Sequence, residues 1–294
     1  MTLVSGIYAQ IIAPFAEFEF MRRALAGAVV LAIGAAPVGV LLMLRRMSLM
    51  GDTMAHAILP GAAVGFLIAG LNLYTMAAGG LIAGLAVALS AGAVARATQL
   101  KEDAALAAFF LMSLALGVTI VSMRGTNVDL LNFLFGSVLA LDDQTLVLMA
   151  AITTLSLIIF AVIWRPLVLE SVDPGFLRSV SRAGGPAHIA FLTLVVMNLV
   201  AGFFALGTIL SVGIMIIPAA IARFWARDVT TMIVVAITAG MLAGLVGLIV
   251  SYHAGTPSGP TIILVAGALY VLSVLFGRIG GIVPRLLPKR HLEA

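Results

Sequence analysis

Cysteine is absent from the 294-residue chain. Disulfides and thiolate ligands are therefore excluded, and any metal the protein handles must be held by oxygen and nitrogen, donors that suit hard or borderline divalent ions. Charge is scarce too: Asp, Glu, Lys and Arg make up 10% of the residues against 63% hydrophobic, with a mean hydropathy of +1.22. No soluble domain needs that much apolar surface. Three chemistry-bearing patterns are missing: the phosphate-cradling Gly-x-x-x-x-Gly-Lys-Ser/Thr, the Gly-x-Ser-x-Gly elbow and His-Glu-x-x-His. If ATP powers this protein, the ATPase is another chain. Residues 1–20 carry Pro14, Glu17 and Glu19 with no early basic run, which does not fit a cleaved signal peptide and reads as an interfacial lead-in.

What the chain does have is long apolar runs. They fall at 21–44, 53–70, 73–96, 104–123, 143–164, 187–206, 208–225, 229–251 and 259–277, each near the roughly 20 residues that a bilayer core of about 30 Å demands of a helix. A barrel would instead show alternating segments of about ten residues. The fold class is all-α: a polytopic membrane protein forming one domain, 1–294, as a bundle of eight or nine transmembrane helices. The count falls to eight if one member of the nearly continuous pair at 187–225, interrupted by Gly207 and Pro218, is re-entrant.

The net charge of +4 is not a nucleic-acid footprint, because the basic residues sit at segment ends rather than along one polar face. With nine spans, Arg45 and Arg46, Arg96 with Lys101, Arg165 with Arg178 and Arg182, Arg223 with Arg227, and the tail 279–294 all fall on one side. The positive-inside rule makes that side cytoplasmic and leaves the N-terminus outside; Arg22, Arg23 and Arg124 are exceptions. Two connections are long. Loop 124–142 reads as an outer interfacial helix. Loop 165–186 lies inside, where Asp173 is expected to cap a helix beginning at Pro174, and Gly184-Gly185-Pro186 to stop it; this short helix, with Phe176, Arg178 and Arg182, is suited to docking a soluble partner. Small-xxx-small spacing at Gly61/Gly65, Gly80/Gly84 and Gly240/Gly244 reads as tight helix packing.

Asp52 and His56 are one helical turn apart, so they share a helix face. Asp52 is the one acid that the sequence sets against this apolar core. Counted from Arg46 at the headgroup level, His56 lies ten residues on, about 15 Å at 1.5 Å per residue, close to the bilayer midplane. Pro60 cannot donate to the carbonyl four residues earlier, so the His56 carbonyl loses its helical partner, and a broken helix at that depth is a way to build a midplane ion site. Carboxylate, imidazole and carbonyl together suit zinc or manganese; the alternative is a satisfied hydrogen bond holding the span to a neighbour. Pro218 reads as a second kink, freeing the Ile214 carbonyl. His253, before an outer turn, and Asn198, in mid-span, are further metal or gate candidates, with helix–helix hydrogen bonding the simpler role for Asn198. His188 reads as interfacial and His291 as tail.

The stretch Arg45-Arg-Met-Ser-Leu-Met-Gly-Asp-Thr-Met-Ala-His-Ala-Ile-Leu-Pro-Gly61 closely resembles the signature of the manganese and zinc permeases of ATP-binding-cassette importers. Further stretches match in order: Leu134-Phe-Gly136 with Leu139, Ser171-Val-Asp-Pro-Gly-Phe176, the late kinked span Gly207 to Ala222, and Ser251-Tyr-His-Ala-Gly-Thr-Pro-Ser-Gly259. The chain departs from the family at Asn132, where histidine is frequent, and lacks the usual acid after Asp173-Pro174. The resemblance implies a homodimer in the bacterial inner membrane, two copies of a cytoplasmic ATP-binding subunit, and an extracytoplasmic solute-binding protein that delivers the metal. It also implies that Asp52 and His56 contact the transported ion. The ligand types serve Zn2+ and Mn2+ alike, with a slight lean to zinc, and no permanently bound cofactor is expected. Proton-coupled transport with Asp52 and His56 as relay, a siderophore or cobalamin permease, and an intramembrane enzyme are the rival readings; the last lacks a plausible nucleophile or base set.

Overall fold

The computed structural model describes residues 12–47, 49–70, 72–123 and 141–286. The expected outer helix in 124–142, with Asn132 and Leu134 to Gly136, falls almost wholly outside them. So do residues 1–11 of the lead-in, 287–294 of the tail, and the side chains of Pro174 and Arg178. The described residues fold as helices, in the order α1 Ala13–Glu17, α2 Glu19–Leu44, α3 Met50–Ala57, α4 Leu59–Ala69, α5 Leu73–Ala97, α6 Glu102–Met123, α7 Asp143–Val162, α8 Trp164–Val172, α9 Pro174–Val180, α10 Gly184–Leu206, α11 Thr208–Ala222, α12 Val229–Ala254, α13 Ser258–Phe276 and α14 Ile282–Leu286.

Eight segments among the described residues are long and apolar enough to cross a membrane, with α3 and α4 together making one of them. The ninth apolar segment, α11, has 15 residues, about 22 Å at 1.5 Å per residue, which is short of a bilayer core of about 30 Å. It follows Gly207, whose φ of 87° turns the chain back, so that Ser211 lies against Gly202 and Leu31. A side chain at position 207 would strain that left-handed backbone. α11 therefore starts at the depth of the middle of α2 and runs alongside its second half, where the Met215 carbonyl meets Gly39.

Two helices form the core, α2 and α10, with 72% and 78% of their most apolar windows buried, against 17% in α6 and α7. α11 and α12 pack on α2, α13 packs on α11 and α12, α5 packs on α10, and α7 bridges α2 and α10. The outer helices leave apolar side chains exposed, such as Ile82, Leu111, Val147, Ile158 and Leu264, the surface that lipid covers at no hydrophobic cost. The glycine pairs serve contacts within the chain: the Gly61 backbone rests on the Gly79 carbonyl, Gly80 and Gly84 receive Ile58, and Gly240 and Gly244 face Ala32 and Ala28.

Caps and ion pairs explain the ends. Asn72, Asp142 and Asp228 accept backbone N–H groups in the first turns of α5, α7 and α12, satisfying donors a helix leaves unpaired. Two of the three basic exceptions to the charge pattern have local partners: Arg23 pairs with Glu19 at 2.7 Å and Asp143 at 2.8 Å, and Arg22 donates to the Ala16 carbonyl; the third, Arg124, lies outside the described residues.

Candidate functional site

α3 has only eight residues, with Asp52 in its first turn, where a carboxylate complements the helix dipole, and His56 in its last. The helix starts at Met50, after a reversal at Arg46 with φ 59°. The ten-residue count from Arg46 therefore overstates the rise, and His56 lies six residues, about 9 Å, along α3. Its depth is nonetheless intermediate, because Ile58, two residues on, contacts Gly80 and Gly84, which also face Phe204 and Val196 of α10.

The break falls at Ile58, with Pro60 in the first turn of α4. The Ser113 hydroxyl donates to the Ala57 carbonyl at 3.1 Å, and the Ile58 N–H is directed at the His56 carbonyl only two residues back. Gly117, one turn beyond Ser113, sits against Pro60, so α6 is fitted to the kink. Neither residue stood out in the sequence; a serine and a glycine four apart opposite a proline kink were the available signal.

His56 Nε2 stands 3.9 Å from Asp52 Oδ1, beyond hydrogen-bond distance, so the pair is not a closed hydrogen bond. The Asp52 side chain is 70% exposed and that of His56 31%. His56 Nδ1 is buried without a partner, and the ring lies 5.8 Å from that of Phe110. Among the described residues no three His, Asp or Glu side chains gather where they could hold a metal ion. Asp52 and His56 therefore stand as a pair of polar groups with no third His, Asp or Glu beside them among the described residues.

The other sequence candidates stand apart from the pair. His253 Nδ1 approaches the Ile249 carbonyl of its own helix at 2.9 Å, in the last turn of α12, beyond Gly244, which faces Ala28 in the half of α2 away from Arg45. Asn198 Nδ2 donates to Ser156 Oγ at 2.6 Å and to the Leu194 carbonyl at 2.9 Å, tying α10 to α7, while its Oδ1 is buried without a partner. Pro218 lies inside α11, and an unforeseen Pro37 inside α2.

In the connection 165–186, Asp173 accepts from the Phe176 N–H at 2.9 Å and caps α9. The connection differs from expectation in two ways. It is largely helical, α8 following α7 after a single residue, and α9 ends at an extended Ser181. Gly184-Gly185-Pro186 opens α10 instead of stopping α9, because proline in a first turn forgoes an N–H that has no helical partner there. Phe176 is half exposed and Arg182 exposed.

At the same end, a cavity of about 720 Å3 is lined by Arg45, Arg46, Glu102, Glu170, Ser171 and His188, among others. Arg45 Nε donates to Ser171 Oγ at 3.0 Å, and Nη1 lies 3.2 Å from His188 Nδ1. A guanidinium only donates, so Nδ1 accepts and His188 is the neutral tautomer carrying its proton on Nε2, which donates to Glu102 Oε1 at 2.9 Å. The guanidinium also stacks 3.9 Å over Phe191. Burial lowers the Arg45 pKa to about 10, against the pull of Glu170 and Glu102. His188 is thus a bridge between elements. Asp52 is not the one acid set against the apolar core, since Glu170 is 6% exposed.

A profile described as the ABC 3 transport family matches residues 17–277. The manganese import system permease protein ScaB of Streptococcus parasanguinis is 32% identical over 257 residues, 87% of this chain and 90% of the relative. The manganese transport system membrane protein MntC of Halalkalibacterium halodurans is 31% identical over 270 residues, 92% and 91% of the two chains. Among solved structures, a chain of PsaBC from Streptococcus pneumoniae, in complex with Fab, superposes with a TM-score of 0.81 at 29% identity, covering 92% of this chain and 97% of that one.

Proposed function

The chain belongs to the ABC 3 transport family, and from that premise we propose that it is the transmembrane permease subunit of an ATP-binding-cassette importer whose cargo is a divalent metal ion, manganese in the first place. The observation that carries the reading is the open Asp52–His56 pair at the α3–α4 break, in a chain whose relatives are named for manganese import and transport. The slight lean to zinc finds no support in those names, and a carboxylate beside an imidazole serves manganese as well.

One chain offers two protein donors, fewer than a divalent ion of either kind requires. A homodimer related by a two-fold axis supplies the same pair twice, and the exposure of Asp52 in the single chain leaves it available to such a partner. The ion is cargo, so moderate affinity suits transport: the site must release what it holds. The freed imidazole nitrogen and the carboxylate need only move apart to let it pass.

The coupling end is the Arg45 end, facing the cytoplasm of a bacterium whose inner membrane the protein crosses, with the N-terminus outside. There α9, capped by Asp173 and carrying exposed Phe176, within the coupling connection 165–186, docks one copy of the ATP-binding subunit on each permease. A solute-binding protein delivers the metal on the other side.

The test is manganese and zinc uptake by cells whose one importer of this kind is the full transporter carrying this chain. Asp52→Ala and His56→Ala are each expected to weaken uptake about 100-fold or more, since even supporting partners of metal ligands contribute about 10–100-fold. Normal uptake at normal expression sinks the site assignment, and accumulation of zinc in preference to manganese reverses the cargo. Uptake that persists without the ATP-binding subunit replaces the mechanism with proton coupling.

A further inference from the structure

We propose that Arg45 and Glu170 form a latch in the transport cycle, positioning residues that pair in one conformation of the coupling segment and part in another. The proposal rests on the permease reading above and adds to it how movement at α9 reaches the Asp52–His56 pair. Glu170 and Arg45 line the same cavity. Glu170 Oε2 and Arg45 Nη2 are both buried, and neither has a hydrogen-bond partner.

An unmatched buried carboxylate oxygen and an unmatched guanidinium nitrogen each carry a desolvation cost that native structures seldom leave standing. Here one remedies the other. Opposite charges that share a cavity without contact are at rest in one of two arrangements, and the second is the paired one. A bistable contact of this kind turns a small displacement into a discrete state.

The surrounding bonds show what moves and what stays. Arg45 ends α2, one of the two core spans, and is held there by stacking on Phe191 and by His188 of α10. Glu170 sits in α8, which reaches α9 through Asp173, a residue with φ −144° and ψ 83° that belongs to neither helix. A push on α9 is passed along this short connection to Glu170. On the other side, the chain turns at Arg46 and enters α3, where Asp52 lies seven residues from Arg45. The route from the docking helix to the cargo pair therefore crosses Arg45 beside two groups of α8: the Ser171 hydroxyl, which is bonded to it, and the Glu170 carboxylate, whose Oε2 is unpartnered in this structure. The Ser171 hydroxyl, bonded to both Arg45 Nε and the Leu167 carbonyl, keeps the two sides in register while the carboxylate swings.

The experiment uses the complete transporter, this chain with its ATP-binding subunits, purified and reconstituted in proteoliposomes, with manganese uptake and phosphate release measured together. Glu170→Gln is expected to lower manganese ions moved per ATP hydrolysed at least tenfold while ATP hydrolysis stays within threefold of wild type. The exchange Arg45→Glu with Glu170→Arg is expected to return that ratio to within threefold. A fall smaller than tenfold, or an exchange that restores nothing, overturns the latch. Should Glu170→Gln fail to assemble, Arg45→Lys, which keeps the charge and loses the second arm of the fork, takes its place with the same thresholds. A wild-type complex that accumulates no manganese on ATP refutes the transport reading, whereas wild-type transport with unaffected variants refutes the latch alone.

Discussion

Asn198 offers a quantitative test, because a mid-span amide is either a strut between helices or a station on the ion path. Its Nδ2 makes two bonds, to Ser156 Oγ at 2.6 Å and to the Leu194 carbonyl at 2.9 Å, and its Oδ1 is buried and unpartnered. Hydrogen bonds between membrane helices average about 0.6 kcal/mol and reach about 1.7. The short Ser156 bond belongs in the upper half of that range, so we expect about 1 kcal/mol of coupling between Asn198→Ala and Ser156→Ala. The single Asn198→Ala change loses both bonds and leaves a small void beside Gly34 and Thr153, but also removes the orphaned Oδ1. These terms partly cancel, leaving a loss of about 1–2 kcal/mol. The assay is a double-mutant cycle on reversible unfolding in mixed micelles, with metal uptake measured for each variant. Coupling below about 0.3 kcal/mol, where independent sites simply add, refutes the strut, as does a variant of wild-type stability that no longer transports.

A methyl at Gly61 meets the Gly79 carbonyl, whereas one at Gly267 meets nothing within 4 Å. Gly61→Ala should therefore cost about 1–3 kcal/mol by overpacking, while Gly267→Ala, within α13, gains about 0.5–1 kcal/mol, both read by thermal unfolding. The carboxyls of Asp142 and Asp228 are held below their ordinary pKa, chiefly by side-chain hydrogen bonds from Thr145 and Thr231. A depressed carboxyl stabilises the fold above its unfolded pKa, and that contribution fades as pH falls through the lower folded value. Acid should thus loosen the starts of α7 and α12 below about pH 4, and a doubled Asp142→Asn, Asp228→Asn variant should flatten that part of the stability–pH curve. Asp173→Ala removes the α9 cap, worth about 1 kcal/mol, and should weaken binding of the ATP-binding subunit about fivefold in a pull-down titration; unchanged binding places the docking surface elsewhere.

Apolar run length led directly to the all-helical membrane fold, because a backbone in lipid has few ways to satisfy its N–H and C=O groups. Eight full-length segments with a short ninth were within reach of the sequence, since Gly207 and Pro218 marked the pair that shares the anomaly. The stop at Gly184-Gly185-Pro186 misled for a definite reason: the same residues end one helix or begin another, and only the packing of the neighbouring segments decides between the two. The Asp52–His56 pair was legible because i and i+4 share a face whatever the surroundings. Ser113 and Gly117 were not, since their meaning depends on which helix lies opposite Pro60.

The Arg45 cluster was the least legible part. Its members are spread from residue 45 to residue 188, and each alone reads as an ordinary charge at a helix end. Composition, run length and local periodicity act over a few turns of chain, so the sequence by itself determined that the protein is a membrane-spanning helical bundle carrying an acid–imidazole pair at a helix break. That Ser113 engages the Ala57 carbonyl at that break, that Asp52 faces outward while Glu170 is buried, and that one arginine joins the ends of α2, α8 and α10 were decided only in the tertiary structure. Burial and hydrogen-bond partnership belong to neighbours in space, and those neighbours come from segments more than a hundred residues apart in the chain.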